Sequence, residues 1–190
     1  MIRRPDQPLD ERGGMDWLGP EFLTWLWWRA GVSPEFVEKT LGAKPGRGDP
    51  TSLYVHVDEF LELRGERAAA RRTSLRAGMP GASAEGKVAL RHGKVVTAAR
   101  LLFARGEEET SLTLKAEDLD LSSVKLPGID SADAEERLDA SLAAARRVYD
   151  DVDLCFRVFL EVRCSARWEA ESEKMRAWVG APSDEEKSLA

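Results

Sequence analysis

The sequence predicts an α+β fold: an antiparallel sheet packed with an N-terminal Trp-rich helix and a long, broken helical section toward the C-terminus. Three observations carry this. Residues 22–28 (FLTWLWW) are apolar at every position but Thr24, so a helix here is hydrophobic nearly all round and buries most of its faces. Between residues 53 and 126, short runs of alternating apolar and polar residues are punctuated by Gly and Pro, the pattern of half-buried strands. From residue 138 onward the apolar spacing switches to a seven-residue repeat, which only a helix satisfies.

The chain of 190 residues suits one α+β domain, expected over 15–180, between a flexible tail (1–14) and an acidic flexible tail (181–190). No apolar run reaches the roughly 20 residues that span a bilayer, and the start (MIRRPD) lacks the apolar segment of a signal peptide. No membrane association is therefore expected. Cys155 and Cys164 lie nine residues apart, on opposite faces of one helix, so they are not expected to bond to each other. A reducing, cytoplasmic setting follows.

Taken in order, Gly19-Pro20 opens the tryptophan helix, with Pro at its first position, and Gly31 closes it. Ser33-Pro34 then reads as the start of a second short helix ending at Gly42. The run 43–50 (AKPGRGDP) is a loop by composition. Leu53, Val55 and Val57 alternate as a strand, 60–63 reads as a second strand, though a short helix would also fit, and Thr73, Leu75 and Ala77 read as a further strand. Ser83 can cap a helix that runs through Arg91 to Gly93. Residues 94–105 and 110–116 flank a Gly-Glu-Glu-Glu loop as a hairpin, and 119–126 continues as extended chain. Ser131 is the expected cap of the long helix. Leu138, Leu142, Ala145, Tyr149, Val152, Phe156 and Phe159 then recur at spacings of 4, 3, 4, 3, 4 and 3. A single helix to Val179 would be about 70 Å long, so a break is expected near Asp150-Asp151 or after Ser165.

Catalytic constellations are scarce. His56 and His92 have no cysteine or acid at metal-ligand spacing, and no phosphate-binding, dinucleotide-binding or nucleophile-elbow motif is present. The acids Asp118/Asp120 and Asp150/Asp151/Asp153 invite a magnesium-nuclease reading, but acids at helix joints and turns are ordinarily solvated. The expectation is no enzyme, no catalytic residue, no metal, no cofactor and no small-molecule substrate.

Charge is the better lead. Between residues 64 and 105 ten Lys or Arg residues stand against Glu66 and Glu85, in a chain whose net charge is -6. Lysine and arginine contacts to phosphate supply non-specific DNA affinity without a recognition helix. Arg67, Arg71, Arg72 and Arg76 cluster in and beside one turn, Arg91 and Lys94 in another. These six are the candidate DNA-contacting residues. Against this, the overall pI of 5.2 lies well below that of a typical nucleic-acid-binding domain.

The ordered landmarks also resemble a known family. Gly93-Lys94-Val95-Val96-Thr97 followed by the hairpin and 119–127 (LDLSSVKLP), the segment 21–27 (EFLTWLW), and 159–163 (FLEVR) with Trp168 are similar, in the same order, to the later half of the recombination-associated protein RdgC family. The likeness spans about residues 17–179, and no one motif in it is very specific. It implies a non-specific double-stranded DNA-binding accessory protein of recombination or replication, associated with the nucleoid, without cofactor. Members close as a head-to-head dimeric ring around the duplex, which makes a homodimer a partner to consider. This chain lacks the counterpart of their N-terminal half, which puts ring closure in doubt. A different class of function is an assembly module in which Trp25, Trp27 and Trp28 bury a second helix face against another subunit.

Overall fold

A computed structural model describes residues 17–37, 52–65, 72–76 and 83–181. The elements in chain order are α1 (Leu18–Val32), β1 (Glu35–Val37), β2 (Ser52–Arg64), β3 (Arg72–Arg76), α2 (Ala84–Arg91), β4 (Val95–Arg105), β5 (Glu108–Lys115), β6 (Leu121–Lys125), α3 (Ala134–Arg163) and α4 (Arg167–Gly180). The strands form one antiparallel sheet in the order β1-β2-β4-β5-β6, with β3 also on β2. The long strand β2 is paired with β4 along one edge. Along the other it takes β1 at its start and β3 at its end. The predicted α+β class, with helices toward both ends of the chain and an antiparallel sheet between them, is what the chain adopts.

One sheet face is apolar, because alternate residues point the same way. Leu53, Val55, Leu61, Leu63, Ala99, Leu101, Phe103, Leu112 and Leu114 are buried there, and α1 lies against β2 and β4. Trp25 and Trp27 are 1% and 0% exposed and Trp28 only 5%. The stretch 22–28 is buried at every position because α2, α3 and α4 cover the sides that the sheet leaves free. Phe159 of α3 sits in an aromatic cluster with Phe22, Trp25, Phe156 and Trp168, at ring-centroid distances of 5.4, 5.4, 6.2 and 5.9 Å. Trp178 of α4 meets Trp27 edge-on at 5.1 Å, and Lys87 of α2 lies 4.6 Å above the Trp178 ring.

The close fit of α1 on the sheet depends on Gly19. A Cβ there would fall 1.7 Å from the carbonyl oxygen of Ala116, a backbone atom that cannot rotate away. Gly19→Ala is therefore expected to destabilise the fold by roughly 1–3 kcal/mol or more. Urea denaturation would measure it; a loss within about 0.5 kcal/mol, the ordinary range of a surface substitution, would mean that α1 can move away from Ala116 freely.

Several local expectations are corrected. The predicted helix after Ser33-Pro34 is a strand as far as it is described, 35–37. Long-range partners outcompete the local helix-start signal. The Glu35 carboxylate accepts from Ser52 Oγ at 3.0 Å and Tyr54 Oη at 3.2 Å, and the Pro34 carbonyl accepts from the Val55 N–H at 2.9 Å. The two strands expected between 53 and 63 are one strand bent by an irregularity between Asp58 and Leu61, where Glu59 takes a positive φ of 39°. The hairpin turn is tighter than expected, since Glu108 and Glu109 already pair with Arg105 and Ala104. Asp133, not Ser131, caps α3, its Oδ1 accepting from the Glu135 N–H at 2.7 Å. The long helix runs unbroken through Asp150-Asp151 and breaks at Cys164–Ala166, the later of the two predicted sites. The flexible-tail expectations for 1–14 and 181–190 fall, but for Ala181, outside the described residues.

Candidate nucleic-acid interface

The second sheet face carries Tyr54, His56, Asp58, Glu62, Arg64, Arg100, Ser111 and Thr113, and among the described residues no helix lies over it. Its register decides which basic residues become neighbours. Arg64 pairs with Arg72 of β3 on one side and with Val95 of β4 on the other. The three form one row across the sheet. The β2–β3 connection and the turn between α2 and β4 therefore leave the sheet at the same end.

Lys94 is held at that end by a glycine-dependent helix stop. Gly93 has φ +81°, a conformation that glycine adopts without steric cost. Its N–H donates to the Leu90 carbonyl at 3.0 Å while the Lys94 N–H donates to the Ala89 carbonyl at 3.1 Å, the paired bonds of a Schellman stop. The Lys94 side chain donates from Nζ to Thr73 Oγ1 at 2.6 Å, tying β3 to the start of β4.

Glu62 organises the arginines on this row. Its carboxylate takes Arg64 Nε at 2.8 Å, Arg72 Nη2 at 2.5 Å and the Thr97 hydroxyl at 3.2 Å. The Glu62 side chain is only 6% exposed, whereas Arg64 and Arg72 remain 60% and 57% exposed. Two guanidinium groups share this one buried carboxylate, so the row keeps one positive charge in excess.

The predicted site residues thus separate. Arg72 and Lys94 lie at one sheet end, joined by Arg64, which the sequence reading had not singled out. Arg76 lies four residues farther along β3, its guanidinium 5.4 Å from the centre of the Phe60 ring. Arg91 donates from Nε to the Val179 carbonyl at 2.9 Å, serving the end of α4. Arg67 and Arg71 lie outside the described residues, in the stretch of sequence that joins Arg64 to Arg72. Trp25, Trp27 and Trp28, named as an interface, are enclosed by the chain's own helices and sheet, so the surface they would offer a second subunit is already occupied.

Arg100 was also missed. It stands on the open face above a broad cleft of about 820 Å³ lined by Asp58, Glu59, Phe60, Arg76, Thr113 and Ser123. Its Nη2 donates to Ser111 Oγ at 2.8 Å, and Asp58 and Glu59 stand 4.0 and 3.7 Å from its Nε. An arginine in the middle of the apolar run 95–104 (VVTAARLLFA) was the available signal.

The acid clusters have structural tasks. Asp151 accepts from Arg105 Nε at 2.9 Å and Nη2 at 2.5 Å, joining α3 to β4. Burial pushes its carboxyl above the ordinary range, and the Arg105 bond works against that shift. Asp153 pairs with Arg157, and Asp120 with Lys115, whose pKa that hydrogen bond raises. Among the described residues no group of three His, Cys, Asp or Glu side chains could hold a metal ion. Both cysteines are free, Cys155 buried and Cys164 exposed, and no described helix is long and apolar enough to cross a membrane.

No protein-family model matches the chain, and no curated protein matches it significantly in sequence.

Proposed function

We propose that this protein binds double-stranded DNA without sequence preference, holding phosphates at the sheet end where β2, β3 and β4 meet, and that it carries out no reaction of its own. One observation supports this above the others. The Arg72–Arg64–Val95 row brings the end of β2 and the starts of β3 and β4, and so the two basic stretches of sequence next to them, to the same end of the sheet. In sequence, these stretches hold Arg64, Arg67, Arg71, Arg72, Arg91 and Lys94 against Glu62 and Glu66. Arg64 and Arg72 keep exposed guanidinium groups at this end, and cations without a recognition helix suit backbone contacts, which position a protein on a duplex but carry no sequence information. The resemblance to the RdgC family supports an accessory role in recombination or replication at the nucleoid.

The test is fluorescence anisotropy with a random-sequence duplex. If about four phosphates are neutralised, affinity should fall roughly 100-fold between 50 and 200 mM salt. Arg72→Ala and Lys94→Ala should each weaken binding for every sequence alike and lower the salt slope by about one. Arg76→Ala should do less. Absence of binding at low salt would overturn the proposal.

A further inference from the structure

The N-terminal half of α3 carries an apolar stripe that nothing described covers. Leu138, Leu142 and Tyr149 are 59%, 60% and 65% exposed, and with Ala145 they follow the spacing 4, 3, 4. This is the first half of the same repeat whose second half, Val152, Phe156 and Phe159, packs in the core. The helix keeps its hydrophobic seam after leaving its own domain. Large exposed side chains at such spacing mark a contact surface rather than the scattered apolar residues of any protein exterior.

We infer that a second copy of this chain covers the stripe, the two α3 helices lying antiparallel about a two-fold axis beside Ala143 and Ala144. The sequence of the stripe is complementary to its own reverse. In an antiparallel helix pair, Leu142 of one protomer meets Ala145 of its partner, and Leu138 meets Tyr149. Each layer therefore sets a larger side chain against a different one, as interdigitated packing requires. Charge chooses the same alignment. Asp139 and Arg146 are both exposed and occupy equivalent positions on one flank, seven residues apart. Antiparallel packing brings this flank against itself and places Asp139 of each copy beside Arg146 of the other. In a parallel pair the same flank would face Ala134 and Ser141 and form no ion pair. The opposite flank leads to Val148, which is 3% exposed and committed to the chain's own core. The free flank is thus the one with complementary charge.

The contact is small. One helix face of this length covers roughly half of the ~800 Å² per partner of a standard interface, so the dimer is reversible and populated in the micromolar range. Sedimentation of the full chain over about 1–200 μM should show monomer passing to dimer. Leu142→Asp, at an exposed site that leaves the fold intact by circular dichroism, should weaken dimerisation more than about 20-fold. Asp139→Arg and Arg146→Asp should each weaken it about 5-fold or more, and the double variant Asp139→Arg/Arg146→Asp should recover wild-type behaviour. A monomer at every concentration, or a dimer indifferent to Leu142→Asp, would overturn the inference. Failure of the double variant to recover would overturn the antiparallel alignment. Each readout is independent of DNA.

Discussion

Replacing Arg163 with alanine is expected to lower the unfolding free energy by about 3–5 kcal/mol, the cost of breaking a buried ion pair by removing one partner. Arg163 is the last residue of α3. Its Nε donates to Glu21 Oε2 of α1 at 2.7 Å, with the two side chains 12% and 8% exposed. The guanidinium also lies 5.0 Å from the Trp17 ring centre and 4.8 Å from that of Trp168, so cation–π contacts reach to both α1's start and α4. One side chain therefore ties three helices together at the place where α3 ends. Urea denaturation followed by tryptophan fluorescence measures the loss. If both charges are removed, as in Glu21→Met/Arg163→Met, most of the stability should return, because apolar replacements of a buried pair are often nearly neutral. A loss below about 1 kcal/mol for Arg163→Ala would mean that the pair behaves as an exposed one.

Phe159→Ala should cost a similar amount, about 3–5 kcal/mol. The residue is 0% exposed, and its ring is shared by Phe22, Trp25, Phe156 and Trp168. Truncation removes apolar burial and leaves a void among large, rigid rings that cannot all move inward. Phe159→Leu, which fills most of that space, should lose clearly less. In a domain of this size the alanine variant should melt roughly 6–20 °C lower. Equal losses for Leu and Ala would show that the ring contacts, rather than the volume, hold the cluster.

These two sites differ in how readable they were. Phe159 belongs to the seven-residue apolar repeat, so its place on the apolar face of the helix follows from spacing alone. Arg163 gives no such sign, because its partner lies 142 residues away in α1 and no local pattern reports that distance. The same contrast runs through the fold. Ser83 as a cap and Gly93 as a stop were legible because both act on backbone within a few residues. The strand at Glu35 was not, since Ser33-Pro34 carries a genuine helix-start signal and loses only to bonds with Ser52, Tyr54 and Val55. Likewise the repeat through Leu138, Leu142 and Tyr149 predicts a helix correctly but cannot say that this half projects beyond the core.

The sequence by itself determined the α+β class, the buried tryptophan helix, the basic middle of the chain and the long C-terminal helical section. Each of these depends on composition or on contacts a few residues apart. Only the tertiary structure decided that Arg72 and Lys94 share a sheet end with Arg64, that Arg91 serves α4, and that the chain's own sheet and helices, not a second subunit, cover Trp25, Trp27 and Trp28. Those outcomes depend on strand register and on which helix covers which face. Both are set by hydrogen bonds and packing between segments distant in the chain, where the periodicity of either segment is silent.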